Sequence, residues 1–356
     1  MTRADVSIRG AGPVGCVLAL LLQQSGRSVS IVEKRKDPPA SLRPAFRPLA
    51  LSHASRLILE RVGAWRSLTT TPIETIHVSQ QGAFGRTRLC AADAGVPALG
   101  YVVDYGLLLG ALMDRVEELK IRIEPEAGES PLVVHAEGSS GDAEEKSYRQ
   151  EAIVALVTTQ PAAAGTAWER FTPGGPLALL PLGGRYCVVW GMPPARAQIL
   201  CDAPEAEFLA ALLQAFGRRA GAFVAVAQRS RAPLALKVRS SRIGERAAYI
   251  GNAAQTLHPV AGQGLNLGLR DAWDLARVLR DAADPGEARV LARFAAVRNF
   301  DSAATVRITD YLAGAFVGAH PLAGLIRGFG LTALDICLPA RRFFARRMIF
   351  GDSALP

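Results

Sequence analysis

The sequence predicts an α/β (α+β) fold: a helix-covered parallel sheet, an interleaved antiparallel sheet, and a helical region at the C-terminus. Three observations predict it. A short apolar strand, a glycine-rich turn and a helix occupy Asp5 to Gln24. Short apolar strands separated by turn residues fill the middle of the chain, from about Ala152 to Val238. A second strand–loop–helix unit, Tyr249 to Ala272, comes late and is followed only by helical patterns.

In chain order, Asp5–Arg9 is a strand with Val6 and Ile8 apolar, and a helix runs from about Gly12 to Gln24. Gly26 stops that helix where left-handed backbone is needed. Ser28–Val32 is a second strand ending in Glu33, which completes a parallel β–α–β start. A Pro/Arg-rich loop, Asp37 to Pro48, leads to a helix from Ser52 to Leu59 or a little beyond. Strands near Thr75–Ser79 and Thr87–Cys90 pair antiparallel. Gly106–Leu119 is helical, with Leu108, Leu109, Leu112, Met113 and Val116 on one face. Strands follow at Ile121–Ile123 and Leu132–Ala136, and the polar run Ser139–Tyr148 reads as an exposed loop. Further strands are expected at Ala152–Thr158, Ala167–Phe171, Leu177–Pro181 and Tyr186–Gly191, the last two joined by a Gly183-Gly184 turn. A helix at Pro204–Phe216 precedes strands at Phe223–Ala227 and Leu234–Val238. Ala248–Gly251 returns to the parallel sheet, and helices cover Leu265–Asp281, Glu287–Ala313 and the remainder, broken at Pro321 and Pro339.

At 356 residues and 49% hydrophobic, the chain is long and apolar enough for two interleaved domains. No segment reaches the roughly 18 apolar residues of a spanning helix. The apolar run Val14–Leu22 lacks a small-residue cleavage site, so it reads as a buried helix and the protein as unexported. The five cysteines are scattered without a CxxC and the histidines lack ligand spacing, so no metal site is expected. The net charge of +9 would suit nucleic acid, an anionic membrane surface or an acidic partner. With aromatics at 6% and no nucleic-acid module in view, nucleic acid is set aside. Arg341, Arg342, Arg346 and Arg347 alternate with Phe343, Phe344, Met348, Ile349 and Phe350. Two readings stand: a basic amphipathic helix lying on anionic lipid, or a terminal helix packed on the core.

Gly10, Gly12 and Gly15 form a GxGxxG turn between strand and helix. The first allows the tight turn, the second lets backbone approach a pyrophosphate, and the third lets the helix pack on the sheet. Glu33 ends the next strand, roughly 20 residues on, where a carboxylate can accept from a ribose hydroxyl. Such a turn alone does not separate NAD from FAD. The second glycine-rich unit points to FAD, with one flavin nucleotide held from both ends of the chain in a Rossmann-like domain.

Over Gly251-Asn252-Ala253-Ala254 and His258 through Asn266 the chain resembles the class A flavoprotein aromatic hydroxylases, and among them the ubiquinone-biosynthesis hydroxylases of the 2-polyprenylphenol type. Ala50-Leu51-Ser52, Ile58 to Gly63, Trp168-Glu169-Arg170-Phe171, Leu177 to Leu182 and the tail from Leu338 to Phe350 are similar to other family segments, so the likeness covers nearly the whole chain. The resemblance implies that Gly10, Gly12, Pro13, Val14, Gly15, Glu33, Lys34, Arg43 and Asp104 surround the ADP half of FAD. It implies that Gly251 and Asn252 sit near the ribityl or pyrophosphate oxygens, and that Gly262, Gln263, Gly264, Leu265 and Asn266 meet the isoalloxazine. Pro259 would line the substrate side, and His258 would act as a base or only shape the loop. For Asn252 and Asn266 the structural alternative is turn or cap duty. Trp168, Phe171 and Trp190 are candidates for the substrate wall, with simple core as the other reading.

The implied domains are 1–75, 101–150 and 246–285 for FAD, 76–100 and 151–245 for substrate, and 286–356 as C-terminal helices. The implied reaction is hydroxylation of a polyprenylated phenol with O2, through a flavin C4a-hydroperoxide after reduction by NAD(P)H. Partners would be the prenylated phenol, an anionic membrane surface and other ubiquinone-biosynthesis proteins. The expected location is the cytoplasm, with peripheral attachment to the inner face of the membrane as the further option. The sequence departs from the family at Glu137-Gly138, where relatives carry Asp-Gly, at Asp104, where they carry a basic residue or Gln, and in the dozen residues that replace a β-meander after Leu119. The shortened middle region and Glu137 motivate a non-catalytic scaffold subunit as the alternative, and a reductase or halogenase of the same fold is a third option.

Overall fold

Alternating apolar residues at the start of the chain build the centre of a parallel sheet. In the computed structural model, which describes residues 4–33, 46–126, 128–138, 143–258, 262–315 and 321–351, β1 (Val6–Arg9) lies between parallel neighbours. Helix α1 (Pro13–Gln24) follows and then β2 (Val29–Val32), whose four residues are all buried. Gly26, with φ +82, makes the turn between them. Helix α1 is buried on nearly every side, because the sheet lies beneath it and other helices pack above. Each such leucine is worth roughly 1.5–3 kcal/mol over its exposed state.

The chain continues with β3 (Pro48–Ser52), α2 (His53–Arg61), β4 (Thr71–Ile73), β5 (Thr75–Gln80), β6 (Arg86–Cys90), α3 (Ala91–Ala94), β7 (Gly100–Asp104), α4 (Tyr105–Glu118), β8 (Arg122–Glu124) and β9 (Leu132–His135). Ser52 caps α2 by accepting from Ser55 N, as its place ahead of an apolar run suggests. The middle of the chain holds β10 (Ala143–Gln160), β11 (Thr166–Thr172), β12 (Gly175–Leu182), β13 (Arg185–Met192), α5 (Pro194–Asp202), α6 (Glu205–Phe216) and β14 (Ala222–Arg239). The last part holds β15 (Ile243–Gly244), β16 (Ala247–Tyr249), a single 3-10 turn (Gly251–Ala253), β17 (Gln255–Thr256), α7 (Gln263–Leu279), α8 (Ala288–Ala315), α9 (Pro321–Ile336) and α10 (Leu338–Phe350).

These strands form a six-stranded sheet in the order β15-β16-β9-β1-β2-β8, an eight-stranded sheet in the order β17-β14-β10-β13-β12-β11-β5-β6, and a small sheet β3-β7-β4. In the first sheet β16, β9, β1, β2 and β8 are all parallel, so residues from both ends of the chain meet in one layer. The larger sheet is antiparallel except where β5 runs parallel to β11. Its outer face is covered by α5 and α6, which bury Trp190, Phe208 and Leu212.

Two expectations are corrected. The described end of the run expected to loop, from Ala143 on, is the start of an 18-residue strand. Its polar side chains are satisfied across the ribbon, with Lys237 Nζ 3.0 Å from Glu145 and Arg231 2.8 Å from Glu151. Cross-strand pairs of this kind hold a ribbon that composition alone assigns to solvent. The two strands expected at Phe223–Ala227 and Leu234–Val238 are one strand, β14, which pairs with β10 over its length and absorbs the mismatch in irregular registers. The helical region divides at the two prolines as expected: Pro321 opens α9 and Pro339 lies in the first turn of α10, where a helix has no use for the missing N–H. Strands β3, β4 and β7 and helices α3 and α5 carry no periodic signal strong enough to be seen beforehand.

Candidate functional site

Backbone crowding fixes the first glycine turn. Gly10 has φ +103, and a Cβ there would lie 2.7 Å from the Glu137 Cα. A Cβ on Gly15 would lie 2.1 Å from the Gly10 carbonyl oxygen. Gly12 differs, since a Cβ there would meet nothing within 4 Å. It faces open space at the start of α1. Pro13 occupies the first helical position, and the first helical hydrogen bond runs from Cys16 N to Gly12 O at 2.9 Å. The N–H groups of Val14 and Gly15 therefore have no partner within the helix and stand at its positive end. Glu33 closes the turn by accepting from Ala11 N at 3.2 Å. The Glu137-Gly138 departure sits beside Gly10. Glu137 is 3.0 Å from His135 Nδ1, and although burial opposes it, that contact holds its carboxyl below the usual range.

The late glycine unit packs directly on this turn. A Cβ on Gly268 of α7 would lie 2.8 Å from Val14 of α1 and 3.0 Å from the Gly251 Cα. Gly251 itself has φ +59 and would place a Cβ 3.2 Å from Val14. Asn252 lies half-buried in the 3-10 turn just after it. Gly262 caps α7 in left-handed backbone, φ +60, with a Cβ position 3.0 Å from Ala50. Gly264, in the first turn of α7, faces open space as Gly12 does. Two helix N-termini thus present uncovered glycine backbone, and an acidic residue closes the first of them. These residues fit a dinucleotide held at its phosphates and at its far ring system.

Asn266 takes the structural alternative. Its Oδ1 accepts from Ser52 N at 2.8 Å and from Ser55 Oγ at 2.7 Å. Its Nδ2 donates to Ala50 O at 2.9 Å and to Gly262 O at 2.8 Å. All four positions of the amide are used to clamp the start of α7 to β3 and α2. Asp104 is likewise engaged, accepting from Gly106 N and Leu107 N as the cap of α4. Gln263 is buried and Leu265 packs on the core. Lys34, Arg43 and Pro259 lie outside the described residues.

Behind α7 lies a network the sequence reading did not single out. Arg298 of α8 is fully buried and reaches Asp271 at 2.8 Å, Asp274 at 3.0 Å and Asp301 at 2.9 Å. Arg270 meets Asp301 at 2.9 Å, and Arg347 of α10 approaches the same carboxylate at 3.3 Å. Asp271 also accepts from Gly251 N at 3.1 Å, so the network grips the glycine turn from behind. Burial opposes the Arg298 charge, yet Asp271, Asp301 and Asp274 hold it protonated well above its ordinary range. The signal was Arg270-Asp271 inside the motif, but the partner on α8 is not visible from spacing.

His258 is placed against the inner face of the large sheet, because β17 just before it pairs with β14. It is 1% exposed, and Tyr148 meets its ring edge-on at 5.0 Å. Burial pushes the imidazole down to about 4, against the pull of Asp310. Tyr148 in turn donates to Asp310 at 2.8 Å. Beside His258 on the same face is Glu169, which the sequence reading quoted without assigning a role. Of the proposed wall residues, Phe171 faces inward with Tyr148 and Leu312. Trp168 and Trp190 pack outward with Phe216 and Phe208, so for them simple core is the correct reading. Successive strand residues point to opposite faces, which is why 168 and 169 part company.

Helix α10 packs on the core through Ala345 and Ile349. Arg341 lies 3.0 Å from Asp93, so part of the basic stripe pairs internally. No helix among the described residues is long and apolar enough to cross a membrane, and no cluster there has the makings of a metal site.

Comparison with known proteins gives a consistent picture. Residues 3–125 and 128–307 match the FAD binding domain family. The chain is 32% identical to a ubiquinone hydroxylase of Rhodospirillum rubrum, over 96% of this chain and 89% of the relative. It is 30% identical to the 3-demethoxyubiquinol 3-hydroxylase of Escherichia coli, over 93% of this chain and 94% of the relative. Among solved structures it is similar to p-nitrophenol 4-monooxygenase from Pseudomonas putida, with a TM-score of 0.78 at 16% identity and 99% of each chain covered. That likeness concerns the fold.

Proposed function

The chain belongs to the FAD binding domain family as a flavoprotein monooxygenase with FAD as its cofactor, and from that premise we propose that it hydroxylates the ring of a polyprenylated phenol in ubiquinone biosynthesis, with O2 as co-substrate and NAD(P)H as reductant. The observation that carries the reading is the convergence of the two glycine units, with Gly268 of α7 against Val14 and Gly251.

When bound, FAD would supply the activation of O2 for transfer of one oxygen atom to the ring. The work of this chain's residues is binding, orientation and exclusion of water. Gly12 and the N–H groups of Val14 and Gly15 would hold the phosphates. Glu33 and the neighbourhood of Lys34, Arg43 and Asp104 would hold the adenosine side. Gly251 and Asn252 would hold the middle of the cofactor, and Gly262, Gln263, Gly264 and Leu265 would meet the isoalloxazine. Pro259 and His258 would face the substrate, with His258 neutral at physiological pH. The sheet face keeps water from the reacting ring.

An apolar cavity of about 80 Å³, lined by Ile73, Leu89, Leu99, Gln263, Met348 and Ile349, supports the prenyl tail. It runs from the start of α7 to the C-terminal helix. Ile326, Ile336 and Phe343, exposed on α9 and α10, support contact with a membrane surface or with other ubiquinone-biosynthesis proteins.

The test is purification with added FAD, followed by an O2-dependent assay with 2-geranylphenol. A yellow protein that NAD(P)H bleaches and that yields ring-hydroxylated product, by mass spectrometry, is expected. A protein that stays colourless and gains no thermal stability from FAD would overturn the reading in favour of a scaffold. A coloured protein that forms no hydroxylated product would favour a reductase or halogenase.

A further inference from the structure

The inner face of the larger sheet carries a carboxyl group. Glu169 of β11 points away from the helices that cover the outer side. A small cavity of about 10 Å³ adjoins it, lined by Ala152, Pro176, Ala178, Val189, Leu234 and His258, among others. The Glu169 Oε1 atom is sealed from solvent and has no hydrogen-bond partner among the described residues. An unmet buried carboxyl oxygen of this kind opposes folding, so stability alone does not account for it. The cavity has room for a hydroxyl and not for a ring. Its walls are apolar except for Glu169 and His258, and His258 comes from the loop that leads into α7.

On the reading of a phenol hydroxylase given above, we propose that Glu169 is the anchor for the substrate's ring hydroxyl, accepting its hydrogen at Oε1 inside this cavity. The ring then lies outside the cavity and is held in one orientation by a single directed bond. Glu169 thereby selects phenols over rings that lack the hydroxyl and sets which ring position is presented. The groups facing the carboxyl are consistent with this. Val78 on β5, Ala178 on β12, Val189 on β13, Ala152 on β10 and Leu234 on β14 are apolar. The titratable group facing it is the neutral His258, with Tyr148 and Asp310 beyond. Burial pushes the Glu169 carboxyl up to about 7. Near neutrality it therefore changes from a neutral to a charged acceptor, and the charged form makes the stronger bond.

The test uses the FAD-loaded enzyme and two probes that differ only in the hydroxyl, 2-geranylphenol and geranylbenzene, read by perturbation of the flavin spectrum. The wild type should bind the phenol about tenfold more tightly, as one hydrogen bond to a buried carboxyl implies, and the preference should widen as pH rises through 7. Glu169→Leu, with FAD content as in the wild type, should bind both probes alike. Glu169→Gln keeps shape and hydrogen bonding, and should retain the preference while losing its pH dependence. Equal binding of both probes by the wild type would overturn the proposal. So would an unchanged preference in Glu169→Leu, or the same pH dependence in Glu169→Gln. Any of these outcomes with ring hydroxylation intact removes the anchor and leaves the proposed function standing.

Discussion

Two buried polar regions flank the start of α7, and they are built on opposite plans. Behind the helix, Arg298 and Arg270 are matched by Asp271, Asp274 and Asp301, and one carboxylate also holds the Gly251 amide. In front, at the sheet face, Glu169 keeps an oxygen without a hydrogen-bond partner among the described residues, beside the neutral His258. The rear region sets opposite charges against one another across α7, α8 and α10, as a frame for a cofactor turn needs to do. The front region holds polar capacity in reserve, which is what a ligand needs. The contrast teaches that burial of charge alone does not mark a site; what marks it is whether an opposite charge of the protein stands against it.

The largest expected effect tests the frame. Arg298→Met removes the shared guanidinium and leaves three carboxylates buried, which should destabilise the fold by about 3–5 kcal/mol or more. Chemical denaturation would read this, and a loss below 1 kcal/mol would show that the carboxylates find other partners. Next, Gly268→Val and Gly12→Val separate packing from binding. Gly268→Val drives side-chain atoms into Val14 and Gly251 and should lower the thermal midpoint. Gly12→Val enters open space and should leave the midpoint of the FAD-free protein near wild type while abolishing flavin retention. Unchanged flavin content in Gly12→Val would move the phosphate site elsewhere.

The smallest effect sharpens the front region. The Glu169 carboxyl is raised from 4.5 to about 7 by burial. The folded state therefore binds that proton more tightly than the unfolded state. Stability present at low pH is lost as pH rises from about 4.5 to about 7, by on the order of 3 kcal/mol. His258, lowered from 6.5 to about 4, works in the opposite sense: its contribution is full above 6.5 and lost as pH falls toward 4. Glu169→Gln should remove the first slope and expose the second, so that stability climbs from pH 4 to 6.5 more steeply than in the wild type. Parallel profiles for the two proteins would place the carboxyl in solvent.

The sequence by itself determined the parallel β–α–β start, the Gly10, Gly12 and Gly15 turn and the late glycine unit. Each rests on local rules: strand and helix periodicities, and backbone positions that only glycine accepts. Tertiary structure alone decided the rest. The polar run after Ala143 became strand because its charges pair across β14, tens of residues away. Asn266 became a clamp because Ser52 and Ala50 come to meet it, and Trp168 and Glu169 parted to opposite faces because helices cover one side of the sheet. The Arg298 network and the Glu169 cavity were invisible along the chain, because a buried charge is defined by what surrounds it in space, and those neighbours arrive from distant segments.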